Sequence, residues 1–308
     1  MVKENNMELV KQRKKINNKI YIGSKSFDII LAVFMLAISI VFLYPFLNVI
    51  AISLSSNRMI TTGQVTFYPK ELLLDGYRML FKEENIFGAY WNTIVIAVGA
   101  TVFNLVLTSM LAYTMMVPDF VLKKGLSVFL LITMFFSGGT VPTYLLIQNV
   151  GLYDTWWSLI LPNAVAAYNV FVYRAFYKGI SPEIREAAKI DGAGEVQILS
   201  KIYVPLSKAL YATFGLFSLV GVWNSYYDAL LYIKDPDKQP IQMLLRKIVF
   251  TSGTANMADA QQMIGNGSLN QLNVQYACVI ATIGPILLIY PFIQKYFAQG
   301  MQIGAVKG

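Results

Sequence analysis

Histidine is absent from this 308-residue chain, and cysteine occurs once, as Cys278. The lack of imidazoles removes the commonest general base and the commonest zinc ligand. A single cysteine forms no intramolecular disulfide, so cysteine usage does not reveal the redox compartment. The sequence also lacks a G-x-x-x-x-G-K-[S/T] phosphate loop, so the chain does not hydrolyse ATP by that chemistry.

Charge is scarce as well. Charged residues make up 14% of the chain and hydrophobic residues 56%, whereas soluble proteins carry about 25% charged residues. Several apolar runs approach or exceed the roughly 20 residues that cross a bilayer as a helix. The net charge of +8 does not indicate nucleic acid, because the basic residues flank apolar runs. We therefore expect an all-α integral membrane protein.

The apolar runs predict six membrane-spanning helices. They cover about Phe27–Ile50, Trp91–Met116, Leu126–Gln148, Trp156–Phe176, Leu206–Ile233 and Val274–Phe297. The first run is too long for a cleavable signal peptide, and no small-residue cleavage site follows it. We expect residues 1–26 to be a basic N-terminus, 27–298 a six-helix transmembrane domain, and 299–308 a C-terminal tail.

Lysine and arginine are unevenly distributed between the two sides that six spans create. With the N-terminus inside, 17 of the 25 basic residues lie on the inner side. They are in residues 1–26, at Lys123 and Lys124, between Arg174 and Lys208, and near the C-terminus. The positive-inside rule therefore predicts that both termini lie on the inner side.

One polar stretch, residues 178–208, separates the fourth and fifth predicted spans on that side. Ser181 before Pro182 predicts a helix start, with a capping side chain and proline at the first helical position. The run Asp191–Gly194 predicts a turn, and Glu195 opens a second helical piece. The stretch is therefore expected to form a helix–turn–helix segment.

This stretch resembles the EAA loop of ABC importer permeases. The pattern appears as Glu186-Ala187-Ala188, Asp191-Gly192-Ala193 and Val204-Pro205. Valine stands where leucine is common before the loop proline. Residues 136–144, 149–155, 161–162 and 223–230 resemble carbohydrate-importer permeases. Residues 294–297, 300 and 304–308 resemble the tail of maltose-type permeases. The resemblance covers nearly the whole chain after the N-terminus, and is greatest to permeases that work with lipoprotein receptors for complex or acidic oligosaccharides.

The resemblance implies the ABC type I importer permease fold and a carbohydrate substrate, in particular an oligosaccharide. It implies three protein partners: a second, similar permease, two copies of an ABC ATPase that bind ATP and magnesium, and an extracellular solute-binding lipoprotein. The chain itself would hold no cofactor, metal or catalytic residue. It would contact lipid in the bacterial plasma membrane, with both termini in the cytosol.

Two groups of residues would contact the ATPase by this resemblance. The coupling residues are Glu186, Ala187, Ala188, Asp191, Gly192 and Ala193. The tail residues are Gly300, Gly304, Lys307 and Gly308. The tail is too short and too rich in glycine to fold alone, and would bind across the seam of the ATPase dimer. A frayed chain end is the alternative.

A substrate path is predicted near the outer end of the fifth span. Its candidate residues are Trp223, Asn224, Tyr226, Tyr227 and Asp228. The aromatic residues also suit an interfacial belt, and asparagines within spans commonly form interhelical hydrogen bonds. The run Ser137–Thr140 is either a packing kink or a break in a helix that lines the path.

One alternative is a structural membrane scaffold, which differs from a permease in that its deletion abolishes uptake of no solute. Two further classes of protein are compatible with a polytopic chain. An ion-coupled secondary transporter needs intramembrane charges, and the predicted spans contain few, of which Asp228 is the main candidate. A membrane-embedded enzyme acting on glycan or lipid needs clustered catalytic groups, and the spans contain no histidine and no tight carboxylate cluster. Both of these classes are therefore less favoured than the permease.

Overall fold

The structure, a computed structural model, describes residues 2–82, 85–251 and 271–305. Regular structure in these ranges is helical, with one isolated bridge between Ser55 and Leu72. The α-helices are α1 Val2–Ser53, α2 Asn57–Thr61, α3 Asp75–Lys82, α4 Ile86–Met116, α5 Lys123–Phe135, α6 Thr140–Asn149, α7 Trp157–Ile160, α8 Ala167–Lys178, α9 Pro182–Ile190, α10 Glu195–Ile198, α11 Val204–Leu206, α12 Lys208–Asn224, α13 Tyr227–Tyr232, α14 Ile241–Thr251 and α15 Gln271–Ala305. A π-helical turn, Leu199–Tyr203, joins α10 to α11, and a 3₁₀ turn, Pro236–Lys238, precedes α14.

The chain divides into two compact units. One consists of Met1–Gly76 and Ile264–Ala277, the other of Tyr77–Met263 and Cys278–Gly308. In the first unit, the Asn273 amide donates to the carbonyls of Ile52, Ser53 and Ser55 at 3.0–3.1 Å. This side chain therefore satisfies carbonyl groups where α1 ends, as helix termini require.

The second unit is built around α4, which packs against α8 and α12. One end of this packing is a core of tyrosines and aliphatic residues. Its buried members include Ala112, Tyr113, Met115, Val170, Tyr173, Tyr177, Ile198, Tyr203 and Leu210. This core joins α4, α8 and the segment that leads into α12, so it supports the predicted coupling residues.

Among the described residues, three helices contain a stretch that is long and apolar enough to cross a membrane: Phe27–Ser53 in α1, Ile86–Met116 in α4 and Leu272–Ile289 in α15. Two bent pairs raise the number to five if each pair is one span. The first pair, α5 and α6, bends by 119°, and the second, Glu195–Leu206 with α12, bends by 86°. The predicted number of six spans is not confirmed within the described residues.

The fourth predicted span, Trp156–Phe176, is where the sequence prediction fails. It is divided between α7 and α8, and residues 161–166 between them are not helical. Pro162 lies in that gap and lacks the N–H that a continuing helix requires. The apolar composition of this run was therefore a poor guide to its secondary structure.

The fifth predicted span, Leu206–Ile233, is interrupted as well, because α12 ends at Asn224 and α13 begins at Tyr227. The first, second and sixth predicted spans lie within α1, α4 and α15. The helix predicted from Leu126 ends at Phe135 and resumes at Thr140, where Gly139 has φ 86°. The run around Ser137–Thr140 is thus a sharp break, and its role in a path stays a prediction. At the C-terminus, α15 continues through Ala305, so Gly300 and Gly304 lie in helix; Lys307 and Gly308 lie outside the described residues.

Candidate functional site

The predicted coupling residues form one continuous local motif. Glu186, Ala187 and Ala188 lie on α9, and Asp191, Gly192 and Ala193 form the turn after it. Gly192 has φ 81°, a left-handed conformation that favours glycine. Its N–H donates to the carbonyl of Lys189 at 3.0 Å, and the N–H of Ala193 donates to that of Ala188 at 2.9 Å. These bonds close the helix in the way that glycine-containing C-caps do.

The start of α9 differs from the expected cap. Ser181 occupies the N-cap position before Pro182, as predicted, but its hydroxyl makes no capping bond to the backbone. It donates instead to the Glu183 carboxylate at 3.4 Å. The proline and the acidic first turn are therefore the features that favour this helix start.

A cluster of four polar side chains, which we call the charge cluster, fixes α9 and α10 to α4. Arg185 donates to the Glu195 carboxylate at 2.6 Å, and Lys189 approaches the same oxygen at 2.9 Å. The Tyr113 hydroxyl on α4 donates to the other Glu195 oxygen and accepts from Arg185 Nε at 3.4 Å. Sequence reasoning missed this cluster, because Tyr113 is 82 residues from Glu195.

The cluster favours the ionised form of Glu195. Partial burial raises the pKa of this carboxyl, but the bonds from Tyr113, Lys189 and Arg185 outweigh that effect and lower it to about 2. A carboxyl whose folded pKa is depressed contributes stability above its unfolded pKa. This contribution is lost as the pH falls from about 4.5 towards 2.

Large apolar side chains are exposed on both sides of the Gly192 turn. Ile190 is 87% exposed and Val196 is 76% exposed. Val196 also lines a groove of about 400 Å³, whose other lining residues are Met110, Tyr113, Thr114, Val117, Asp119, Phe120, Lys189, Glu195 and Leu199. Exposed apolar residues next to a charged rim are typical of a surface that binds another protein.

The predicted path residues lie in two different environments. Trp223 is buried, and its indole donates to the carbonyl of Thr282 at 3.1 Å, so it joins α12 to α15. Asn224 donates to its own helix at the Val220 carbonyl at 2.9 Å. Tyr226 and Tyr227 are 44% and 50% exposed. Among the predicted path residues, only Tyr226 and Tyr227 therefore have exposed aromatic rings with which a sugar could make contact.

Asp228 lines a small cleft together with Thr93, Asn163 and Ser225. The Asn163 amide donates to the Asp228 carboxylate at 3.0 Å. On α14, the Arg246 guanidinium lies 5.8 Å from the centre of the Tyr226 ring. Aromatic, amide, carboxylate and guanidinium groups thus lie around the end of α12. No group of three or more Cys, Asp or Glu residues in the described ranges could hold a metal ion.

A second polar network, centred on Asp154, holds residues 232–238 and was not predicted. Asp154 has φ 59°, and its carboxylate accepts the backbone N–H groups of Lys234 and Asp235 at 3.0 Å each. Lys238 donates to the same carboxylate at 3.2 Å. The pKa of Asp154 is held below its usual value by the N–H of Asp235, by Lys238 and by the N–H of Lys234.

Asp154→Ala should lower the apparent Tm of the purified protein by a few degrees, because two backbone donors and Lys238 lose their shared acceptor. Asp154→Asn is the matched control: it keeps an acceptor oxygen and tolerates the left-handed backbone, so it should lose less. Equal Tm values for wild type and Asp154→Ala would show that this network does not stabilise the protein.

Comparisons with known proteins agree with one family. Residues 94–303 match the family described as binding-protein-dependent transport system inner membrane component. Polygalacturonan/rhamnogalacturonan transport system permease protein YtcP of Bacillus subtilis is 35% identical over 92% of this chain and 99% of its own length. Protein LplC of the same organism is 36% identical over 93% and 96% of the two chains.

A solved structure agrees with these relatives. It is a crystal structure of a bacterial ABC transporter involved in the import of the acidic polysaccharide alginate. The two chains superpose with a TM-score of 0.82 at 29% identity, over 89% of this chain and 97% of the other. The sequence relatives and the solved structure therefore point to the same kind of protein.

Proposed function

The chain belongs to the family of binding-protein-dependent transport system inner membrane components, and we propose that it is a permease subunit of an ABC importer for oligosaccharides. It lines the translocation path together with a second, similar permease. Two copies of an ATPase, which bind ATP and magnesium, drive it from the cytosol, and an extracellular solute-binding lipoprotein delivers the sugar. We place it in the bacterial plasma membrane.

The coupling segment, residues 178–208, carries this proposal. Its turn exposes Ile190 and Val196, while the charge cluster holds α9 and α10 against α4. Apolar side chains on a fixed scaffold are suited to docking into a cleft of a partner. We propose that Glu186 faces the ATPase there, and that Gly192 gives the turn its shape.

We propose that the substrates are oligosaccharides, among them oligosaccharides that carry acidic groups. The name of YtcP mentions polygalacturonan and rhamnogalacturonan. The description of the solved structure mentions alginate. All three polymers contain uronic acids. In this chain, the exposed rings of Tyr226 and Tyr227 provide apolar platforms, and Arg246 beside Tyr226 provides a cation. Aromatic faces bind the apolar faces of sugars, and guanidinium groups bind carboxylates.

The orientation proposed has both termini in the cytosol. Single cysteines placed at Lys123 and Lys189 in a Cys278→Ser background should be labelled by an impermeant maleimide only from the cytosolic side. Cysteines at Lys70 and Asn266 should be labelled only from outside. Asn266 lies outside the described residues, so its labelling tests the topology independently of the structure. Labelling of position 266 from the cytosol would overturn the arrangement.

The C-terminal tail is proposed to bind across the seam of the ATPase dimer. Deleting residues 300–308 should weaken co-purification of the ATPase and lower sugar-stimulated ATP hydrolysis, while membrane insertion stays normal. Because α15 runs through Ala305, a second variant that removes only residues 306–308 separates loss of the helix from loss of the last residues. If the truncated complex keeps its full ATPase content and hydrolyses ATP at the normal stimulated rate, the tail is only a frayed chain end and does not bind the ATPase.

A sugar panel tests the function itself. Cells carrying a deletion of this chain and complemented with wild type would be given labelled oligogalacturonates, rhamnogalacturonan fragments, alginate fragments and a neutral disaccharide. We expect ATP-dependent uptake of at least one oligosaccharide that is lost in the deletion. Uptake that follows an ion gradient would indicate a secondary transporter, and modification of the sugar by the isolated chain would indicate an enzyme.

A further inference from the structure

A sharp elbow separates the coupling segment from α12. The helical pieces of Glu195–Leu206 meet α12 at an angle of 86°. Pro205 lies immediately before the bend and lacks a backbone donor. At the bend, the N–H of Ser207 is shared between the carbonyls of Tyr203 and Val204 at 3.0 and 3.2 Å. The two arms of this elbow are Glu195–Leu206 and α12. Without further contacts, a displacement of the first arm would change the angle at the elbow and would not move α12.

Two tyrosines of α8 that contact each other lie against this elbow, and one of them, Tyr177, contacts both arms. Tyr173 and Tyr177 are four residues apart, which places them on one face of the helix, and neither is exposed. The Tyr177 ring meets the Tyr203 ring edge-to-face at 5.4 Å, before the bend. Its hydroxyl lies 2.7 Å from that of Tyr211, beyond the bend.

Tyr173 extends the contact along α12. Its ring meets Tyr211 at 5.5 Å and Phe214 at 5.2 Å, both edge-to-face. On the other arm, Tyr203 meets Tyr113 of the charge cluster at 5.2 Å. A chain of ring contacts therefore runs from the charge cluster, across the elbow, and along the first turns of α12.

The physical character of these contacts makes them rigid. Edge-to-face aromatic pairs have a preferred geometry, and close-packed interiors transmit displacement because they have few alternative arrangements. The Tyr173 hydroxyl is buried and has no hydrogen-bond partner among the described residues. Its ring, and not its hydroxyl, is therefore the part that packs against Tyr177 and α12.

We propose that Tyr173 and Tyr177 form a bracket that locks the elbow at Ser207, so that the coupling segment and α12 move as one body. The two tyrosines are positioning residues, and this role rests on the proposed function of the coupling segment. Without the bracket, movement of the segment would be absorbed at Ser207 and would not reach the path residues at the far end of α12.

The bracket can be tested without knowing the sugar. Spin labels on Lys201→Cys and Gly221→Cys, in a Cys278→Ser background, lie on the two arms. Lys201 is exposed, and a side chain at Gly221 meets no atom within 4 Å. Pulsed electron–electron double resonance on the assembled complex measures the distance between the two labels. It should give one narrow distribution, with the same mean in the nucleotide-free and ATP-bound states.

Tyr173→Leu and Tyr177→Leu should broaden this distribution. Two controls should keep it narrow: Tyr173→Phe, which retains the ring, and Tyr168→Leu, which changes a 59% exposed tyrosine on the same helix. A narrow distribution in both bracket variants, or a shift of the mean between nucleotide states in wild type, would overturn the proposal.

A functional readout separates this role from simple destabilisation. In reconstituted complexes that transport an oligogalacturonate or another sugar of the panel, Tyr173→Leu should lower sugar imported per ATP hydrolysed by about tenfold. Hydrolysis itself should continue, and Tyr173→Phe should restore the ratio. An unchanged ratio would overturn the bracket alone, whereas a wild-type complex that imports no sugar with ATP would overturn the proposed function.

Discussion

Gly192→Pro should abolish ATP-driven sugar uptake while leaving the chain inserted in the membrane. Gly192 has φ 81°, and proline is restricted to about −65°. Proline also removes the N–H that donates to the Lys189 carbonyl at 3.0 Å. The turn between α9 and α10 would therefore be rebuilt, and Ile190 and Val196 would no longer be presented together. Uptake by cells, with membrane content checked by immunoblot, is the measurement.

Gly194→Ala is the matched control for this prediction. Gly194 has φ −74°, and an added Cβ meets no atom within 4 Å, so alanine fits there without strain. Glu186→Ala should abolish uptake as well, because it removes the exposed charge that we propose faces the ATPase. Normal uptake in both Gly192→Pro and Glu186→Ala would remove the coupling role from this segment.

Arg185→Met should destabilise the protein and strongly reduce uptake. Arg185 is 8% exposed and supplies the 2.6 Å bond to Glu195 and the 3.4 Å bond to Tyr113. Methionine removes a hydrogen bond to an ionised carboxylate, and such bonds contribute about 1.5–3 kcal/mol. Lys189 and Tyr113 still bind Glu195 in this variant. Thermal unfolding of the purified complex, measured beside uptake, checks the expectation.

Lys189→Met is the matched control, since Lys189 contacts the same carboxylate from an exposed position. Its side chain is 43% exposed, and exposed ion pairs contribute at most about 1 kcal/mol. Arg185→Met should therefore lower the Tm clearly more than Lys189→Met. Equal effects of the two changes would show that burial of the Arg185 pair does not matter.

Local signals in the sequence predicted the coupling segment well. Pro182 begins α9, and the left-handed conformation of Gly192 forms the turn after it, as the residue types require. These features depend on neighbours within one or two helical turns. The charge cluster and the Asp154 network could not be predicted in this way, because their members are distant in sequence. Tyr113 meets Glu195, and Asp154 meets Lys238, only after the chain has folded.

The spans show the same limit. The spans predicted as Phe27–Ile50 and Trp91–Met116 both lie within single helices, α1 and α4, because long uninterrupted apolar runs have few alternatives. The run from Trp156 is equally apolar, yet residues 161–166 leave the helix at Pro162. There the Asn104 amide donates to the carbonyl of Ala164 at 3.2 Å, which satisfies backbone that is not helical. Such a partner on α4 is not visible in the local sequence.

Reconstitution into proteoliposomes tests the central claim most directly. Vesicles would contain this chain with its partner permease and ATPase, with ATP enclosed and the solute-binding protein and labelled sugar panel outside. We predict accumulation of an oligosaccharide that requires both enclosed ATP and the ATPase. Accumulation at the same rate when the ATPase is omitted, or when an ion gradient replaces ATP, would contradict the account.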